Sequence, residues 1–195
     1  MSECQSGISV DRFAVALAAD KKPSRNASLA LQGRTTYQFP MPQIRIIAVG
    51  KLRTPHWREA ADAYMRRLRR GYDIIETIVK DGEASLAPAE RCAAEAVRVL
   101  QAVKGCEYLV CLDELGEALS SESFAKRLQL CFETAHTPCF VVGGAYGLTS
   151  SVREKAKLIL SFGPMTYPHE LARVMLLEQL YRADAIIRNR PYHHG

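Results

Sequence analysis

The sequence contains no apolar run that approaches the roughly 20 residues needed to span a bilayer, so we predict no membrane segment. It contains six cysteines but no CxxC pair. Nor does any group of histidine, cysteine or carboxylate residues follow the spacing of metal ligands. These absences argue against an integral membrane protein, a disulfide scaffold and a metal site.

The cysteines are expected to be buried and unpaired. Cys106, Cys111 and Cys139 lie in or beside short apolar runs, where cysteine behaves as a small hydrophobic residue. Buried free thiols are typical of proteins that stay in a reducing compartment. We therefore predict a cytoplasmic location.

The charge balance is only mildly basic. The 26 lysines and arginines exceed the 21 acidic residues, which gives a formal net charge of +5. Such an excess fits a polyanionic partner, but many enzymes of small substrates share it, so it decides little by itself. With 195 residues, 48% of them hydrophobic, the chain is expected to form one domain with at most an appendage.

Residues 1–40 differ from the rest of the chain. They show no sustained hydrophobic period, and their apolar stretch (residues 13–19) is too short for a secretory signal. We expect a poorly ordered or loosely attached extension here, followed by one domain over residues 41–195. Met41 precedes the first strong strand pattern, so the extension is either a misassigned start or a real arm of unknown use.

From residue 43 onward, strand and helix patterns alternate. Apolar, β-branched runs predict strands, and apolar residues at helical spacing predict helices. The predicted strands are residues 44–49, 74–79, 108–112, 139–142 and 158–162. The predicted helices are residues 54–70, 88–103, 121–134, 149–157 and 169–187. This alternation predicts an α/β fold with a parallel sheet flanked by helices and a ligand site beyond the carboxyl ends of the strands.

A glycine-rich turn follows the fourth predicted strand. Gly143, Gly144 and Gly147 let the backbone bend sharply and let a ligand approach closely. The spacing is neither the dinucleotide fingerprint GxGxxG nor the P-loop GxxxxGK, and no such fingerprint follows the first strand. The layout therefore differs from the common Rossmann arrangement, and a plain tight turn remains the alternative.

The loop before the last helix is irregular because it contains glycine and two prolines. Such a loop can surround a small ligand with backbone amides and carbonyls, or it can be a simple connector. Its candidate ligand-binding residues are Gly163, Pro164, Met165, Thr166, Tyr167 and Pro168. Directly after it, His169 and Arg173 share one face of the helix start and are candidates for contact with a polar or anionic substrate.

The carboxyl-terminal tail and one basic helix segment are candidates for contact with a nucleic acid. Tyr192 can stack on a base and His193 can lie near a phosphate, although a solvated tail is the alternative. The arginine-rich residues 66–70 could add phosphate contacts, although a solvated helix face explains such runs more often.

Taken together, these segments resemble the RlmH (YbeA-like) family over residues 41–195, and residues 1–40 have no counterpart in its pattern. The matching segments, in order, are residues 44–51, Leu112–Asp113 with Gly116, 142–148, 168–174, 178–183 and 191–194. Several motifs in order over a whole domain are far more specific than any one of them.

The resemblance implies a SPOUT-class fold with a trefoil knot in its carboxyl-terminal part and a homodimer. It implies that S-adenosyl-L-methionine (SAM) binds at Leu112, at the glycine turn and at residues 163–168. It further implies methyl transfer to N3 of a pseudouridine in large-subunit ribosomal RNA (rRNA), on assembled ribosomes. The substrate-side group would be His169, Arg173, Tyr192 and His193, with the tail reaching the partner subunit's site.

Two other classes of function fit the sequence less well. A non-catalytic RNA- or ribosome-binding module is disfavoured by the complete glycine turn and the intact residues 168–173. An α/β enzyme that uses another nucleotide is disfavoured by the missing GxGxxG and P-loop patterns.

Overall fold

The computed structural model describes residues 41–192, so the expectations for residues 1–40 and for His193 lie outside the described residues. Strands and helices alternate along the whole described range. The strands are β1 (Gln43–Val49), β2 (Asp73–Val79), β3 (Tyr108–Ala118), β4 (Pro138–Val142) and β5 (Leu158–Ser161). The helices are α1 (Pro55–Leu68), α2 (Pro88–Ala102), α3 (Ser121–Glu133), α4 (Ser150–Arg153) and α5 (His169–Ile187).

The five strands form one parallel sheet in the order β2-β1-β4-β3-β5. This confirms the predicted parallel sheet. Because β4 lies between β1 and β3, the connection from β4 to β5 passes over β3 to reach the edge of the sheet. In open parallel sheets, ligands bind at the carboxyl ends of the strands near such changes of direction.

The sheet is covered on both faces, and alternate residues of β1 supply both cores. Ile44 and Ile46 point to one face, where α1, α3 and α5 pack, whereas Ile47 and Val49 point to the other, where α2 and α4 pack. All four side chains are essentially inaccessible to solvent. Burial on both faces explains why the second half of β1, residues 46–49, is a continuous apolar run with no alternation.

Two predicted elements have different bounds in the structure. The third strand, predicted to end near Leu112, continues to Ala118 after a register shift between Leu112 and Glu117 against β5. The fourth helix, predicted over residues 149–157, is a single turn at Ser150–Arg153. At α3, Ser120 is the N-cap, and its hydroxyl accepts a hydrogen bond from the Ser123 N–H at 3.1 Å.

The predicted burial of the cysteines is confirmed for Cys111 and Cys139, whereas Cys106 is half-buried. Burial raises the pKa of the Cys111 thiol to about 12, so the neutral thiol is favoured at physiological pH. No helix among residues 41–192 is both long and apolar enough to cross a membrane.

Candidate functional site

A cavity of about 380 Å³ opens at the carboxyl ends of β3, β4 and β5, where the sheet topology predicts a ligand site. Its volume lies within the range of small-molecule sites. Eight of the ten residues predicted to bind a cofactor line it: Leu112, Gly143, Gly144, Gly147, Gly163, Met165, Thr166 and Tyr167. The other two, Pro164 and Pro168, shape the loop without lining the cavity.

The glycine turn forms one wall of the cavity. It closes through a hydrogen bond from the Gly147 N–H to the Gly144 carbonyl at 3.1 Å. A Cβ on Gly143 would lie 2.9 Å from the Gly147 carbonyl carbon, so a larger residue would open the turn. Gly147 itself has a positive φ of 77° and no atom within 4 Å of the Cβ position, so its open side is available to a ligand.

A buried carboxylate of helix α2 lies against this turn. Glu95 is only 4% exposed, and its Oε1 accepts a hydrogen bond from the Gly82 N–H at 2.8 Å. Its Oε2 has no hydrogen-bond partner among the described residues and lies 2.7 Å from where a Cβ on Gly144 would stand. On the outer side, the Arg91 guanidinium lies 5.3 Å from the centre of the Tyr146 ring. Two residues on one face of α2 therefore lie against the turn, at Gly144 and at Tyr146.

The loop after β5 forms the opposite wall and is tied to the extension of β3. The Ser161 hydroxyl lies 3.1 Å from the Glu114 carbonyl and 2.9 Å from the Gly163 carbonyl, and it accepts a hydrogen bond from the Gly163 N–H. Thr166 donates a short hydrogen bond from its hydroxyl to the Glu114 carboxylate. The part of β3 that the sequence pattern missed therefore holds the predicted cofactor loop in place.

An ion pair lies in the cavity wall between the two loops. An Arg153 Nη donates to Asp113 Oδ2 at 2.8 Å, and the Asp113 side chain is only 8% exposed. Asp113 Oδ1 also accepts from the Leu115 N–H, which turns the chain after Leu112. Since both partners line the cavity, they present a fixed acceptor and a fixed donor to any polar ligand.

His169 lines the cavity at the first turn of α5. Its Nε2 lies next to Gly50, at the end of β1, and 3.6 Å from where a Cβ on that glycine would stand. The neighbouring Glu170 is buried, and its two carboxylate oxygens accept the backbone N–H groups of Arg53 and Thr54, each at 3.1 Å. Burial raises the pKa of Glu170, but the hydrogen bonds from Arg53 and Thr54, together with the charge of His169, outweigh it and hold the pKa below its ordinary value.

Arg173 does not line the cavity, although it lies only one turn beyond His169. Its side chain is 7% exposed and pairs with Glu76 on the edge strand β2, through Nη2 at 2.5 Å and Nε at 3.1 Å. The structure therefore places Arg173 between α5 and the sheet.

Tyr192 follows the end of α5 in sequence, but its side chain folds back beside the middle of that helix and does not line the cavity. Its ring contacts the Tyr181 ring with centres 4.7 Å apart, and its hydroxyl lies 3.5 Å from Glu178 Oε1. Burial and a hydrogen bond with Tyr64 raise the pKa of Tyr192 to about 12. Of the four predicted substrate-side residues, one lines the cavity, two lie elsewhere, and His193 is outside the described residues.

The family of the chain follows from comparison with known proteins. A family model described as "Predicted SPOUT methyltransferase" matches residues 42–193. The chain belongs to the SPOUT methyltransferase family. Two relatives carry the name "Ribosomal RNA large subunit methyltransferase H". The one from Nitratidesulfovibrio vulgaris (strain Miyazaki F) is 52% identical over 155 residues, which are 79% of this chain and 100% of the relative. The one from Oleidesulfovibrio alaskensis is 51% identical with the same coverage.

A solved structure, a probable methyltransferase from Bordetella pertussis Tohama I, is 16% identical, with a TM-score of 0.47 over 73% of this chain and 96% of that one. The assignment to the SPOUT methyltransferase family rests on the sequence matches.

Several residues that build this SPOUT methyltransferase site are absent from the sequence-based prediction. Glu95, Asp113, Arg153 and Glu170 are all charged, and each is held against the cavity walls by contacts between residues far apart in sequence. The one local signal was the position of Asp113 and Glu170 inside matched motifs. Nothing in the local pattern around Glu95 or Arg153 distinguishes them from other charged helix residues.

Proposed function

We propose that this protein transfers a methyl group from SAM to N3 of a pseudouridine in large-subunit rRNA. The observation that carries the proposal is the cavity, lined by the glycine turn and the loop after β5, in a chain that is 52% identical to a relative named for methylation of that RNA. The proposed setting is the assembled ribosome in the cytoplasm.

The residues of the cavity fit SAM. Gly147 and Gly163 both have positive φ and no atom within 4 Å of the Cβ position, so backbone groups face the open space. Backbone amides and carbonyls of the turn and the loop suit the adenine and ribose, and the Asp113–Arg153 pair suits the charged amino-acid part. When bound, SAM supplies a methyl group that its sulfonium has already activated. The protein therefore mainly has to position the acceptor.

His169 is placed to act on the acceptor. N3 of pseudouridine must lose its proton before it can attack, and a neutral imidazole that lines the cavity can accept a proton or stabilise the developing anion through a hydrogen bond. Arg173, Tyr192 and His193 complete the proposed substrate-side group. Loss of turnover in the variants His169→Ala or His193→Ala, with normal folding, is the expected result, and near-normal turnover in both would rule out this assignment.

The proposed assembly is a homodimer in which the tail of one subunit completes the cavity of the other. The position of Tyr192 supports this, because its side chain lies against Tyr181 and Glu178 of its own α5 and does not line the cavity of its own chain. The proposed fold includes a trefoil knot formed by the segments around the cavity.

The direct test is methyl transfer from radiolabelled SAM to ribosomes that lack the modification, with and without pseudouridine at the target. We expect label in large-subunit rRNA when pseudouridine is present. The full chain and residues 41–195 should label equally if the first 40 residues play no part. Labelling of small-subunit rRNA instead, or equal labelling of a uridine target, would contradict the proposed substrate.

A further inference from the structure

The ends of α1 and α5 meet in a surface rich in arginine, which we call the arginine patch. It consists of Arg66, Arg67, Arg69, Arg70, Arg188 and Arg190. All six residues are exposed. Helix α1 runs from the carboxyl end of β1 back to the amino end of β2, so within one chain the patch lies at the opposite end of the sheet from the cavity.

Aromatic rings join the arginines of the two helices into one surface. The guanidinium groups of Arg67 and Arg190 lie 5.5 and 6.0 Å from the centre of the same ring, that of Tyr181. Arg188 lies 5.8 Å from the centre of the Tyr72 ring. A guanidinium held against a ring has already lost part of its side-chain freedom, so less entropy is lost when it binds a ligand.

The carboxylates in this region leave the patch positive. Asp184 is buried and pairs with both Arg188, at 2.6 Å, and Arg190. Asp62 and Asp73, the exposed carboxylates nearest to the arginines along α1 and the start of β2, form no ion pair within residues 41–192.

The four arginines at the end of α1 have no carboxylate partner anywhere in residues 41–192. They are Arg66, Arg67, Arg69 and Arg70. One or two cations are enough to offset the negative end of a helix dipole, and that effect fades within the last turn. Arg66 and Arg67 already lie in the last turn of α1, so Arg69 and Arg70 add positive charge beyond what offsets the helix dipole.

We propose that the arginine patch is a docking surface for the sugar-phosphate backbone of RNA. Outward-facing guanidinium groups without carboxylate partners match phosphate in charge and in fork geometry. The inference rests on the proposed rRNA substrate and assigns its backbone contacts. The patch leads directly into Tyr192, so a tail that enters the partner subunit's cavity also brings the patch beside that cavity.

The test uses the variant R66Q/R69Q/R70Q of the full chain, because none of these three side chains makes a hydrogen bond, ion pair or ring contact among the described residues. The matched control is K104Q/K155Q/K157Q, which removes the same charge from exposed positions on the α2 and α4 face. The probe is a fluorescein-labelled RNA hairpin of about 16 base pairs, whose binding is followed by anisotropy between about 50 and 200 mM KCl.

We expect the arginine variant to bind the hairpin about tenfold or more weakly at the lowest salt, and the slope of log K against log salt to fall by about 2–3. The control K104Q/K155Q/K157Q should change the affinity for the hairpin and the salt slope much less. On ribosomes, the KM for ribosomes should rise while the KM for SAM stays unchanged.

Equal effects of the two triple variants would overturn the inference, since total charge alone would then explain binding. A change in molar mass by light scattering in the arginine variant would also overturn it, because the patch would then be an interface between copies of the chain. Hairpin binding is measured without turnover. Failure of the proposed methyl transfer would therefore show separately, as absence of label with the wild-type chain.

Discussion

At the scale of single residues, Gly144 shows how one buried atom constrains the cavity wall. A Cβ at this position would lie 2.7 Å from Glu95 Oε2 and 3.1 Å from a methyl carbon of Val49, so the turn or α2 would have to move. We expect Gly144→Ala to lower the free energy of unfolding by about 1–3 kcal/mol, as overpacking usually does, and to weaken SAM binding. Urea unfolding and titration calorimetry measure the two effects.

The partner in this clash can be identified by a double-mutant cycle. Glu95→Ala removes the carboxylate. In that variant, Gly144→Ala should therefore lower the free energy of unfolding by less than it does in the wild-type chain. The expected coupling is about 0.5–3 kcal/mol, as is typical of residues in direct contact. Additive effects would mean that Val49 or the turn itself, and not Glu95, opposes the alanine.

Glu170 makes the stability of the region between β1 and α5 depend on pH. Because the folded-state pKa of this carboxyl is lowered, its contribution is complete above its ordinary pKa and is lost as the pH falls through the folded value. Glu170→Gln removes the charge that accepts the N–H groups of Arg53 and Thr54, and should cost about 1–3 kcal/mol at neutral pH. Urea unfolding between pH 7 and 3 should show a smaller acid loss for the variant. Parallel pH curves would contradict this role.

At the scale of secondary-structure elements, Arg173 joins α5 to the edge strand β2 through Glu76. A structural role predicts that Arg173→Met and Glu76→Gln lower the free energy of unfolding by similar amounts, because either change breaks the same pair. A contact between Arg173 and the substrate predicts instead that turnover falls far more in Arg173→Met than in Glu76→Gln. In that case kcat should change more than the KM for SAM. Measuring unfolding and kinetics on both variants separates the two roles.

The elements themselves were largely predictable because local patterns decide them. The strands were predicted from apolar runs and the helices from helical spacing or from capping residues, and most bounds agree within two residues. The continuation of β3 was missed because residues 113–118 are mostly polar and small. There the pairing depends on Gly116, where a Cβ would lie 2.6 Å from the Ile159 carbonyl oxygen, so that β5 can approach only a glycine.

The site was predictable in part. The glycine turn and the loop after β5 are continuous segments next to strand ends, and a parallel sheet brings such ends together. Helical spacing put His169 and Arg173 on one face, but the cavity extends over the first turn of α5 only, and the next turn packs on β2. The point at which this face of α5 leaves the cavity and enters the core is set by how distant elements pack against it. A local sequence pattern carries no information about that packing.

At the scale of the whole molecule, the proposed site joins His169, which lines the cavity, to Tyr192, which does not line the cavity of its own chain. His169 is the first residue of α5, and Tyr192 follows the end of that helix. If the tail acts in the partner's cavity, removing residues 191–195 should abolish methyl transfer and leave the dimer intact by light scattering. Retained activity after this deletion would count against the proposed assembly.

Subunit mixing decides between action within one chain and action across the dimer. A His169→Ala chain with an intact tail and a tail-deleted chain with an intact His169 should each be inactive alone. In a dimer of the two, one site joins the intact His169 of one subunit to the intact tail of the other. A random mixture should therefore recover about a quarter of the wild-type activity, since half of the dimers are mixed and each has one whole site. A tail that acts on its own subunit's cavity would give no recovery, because neither chain then carries both parts.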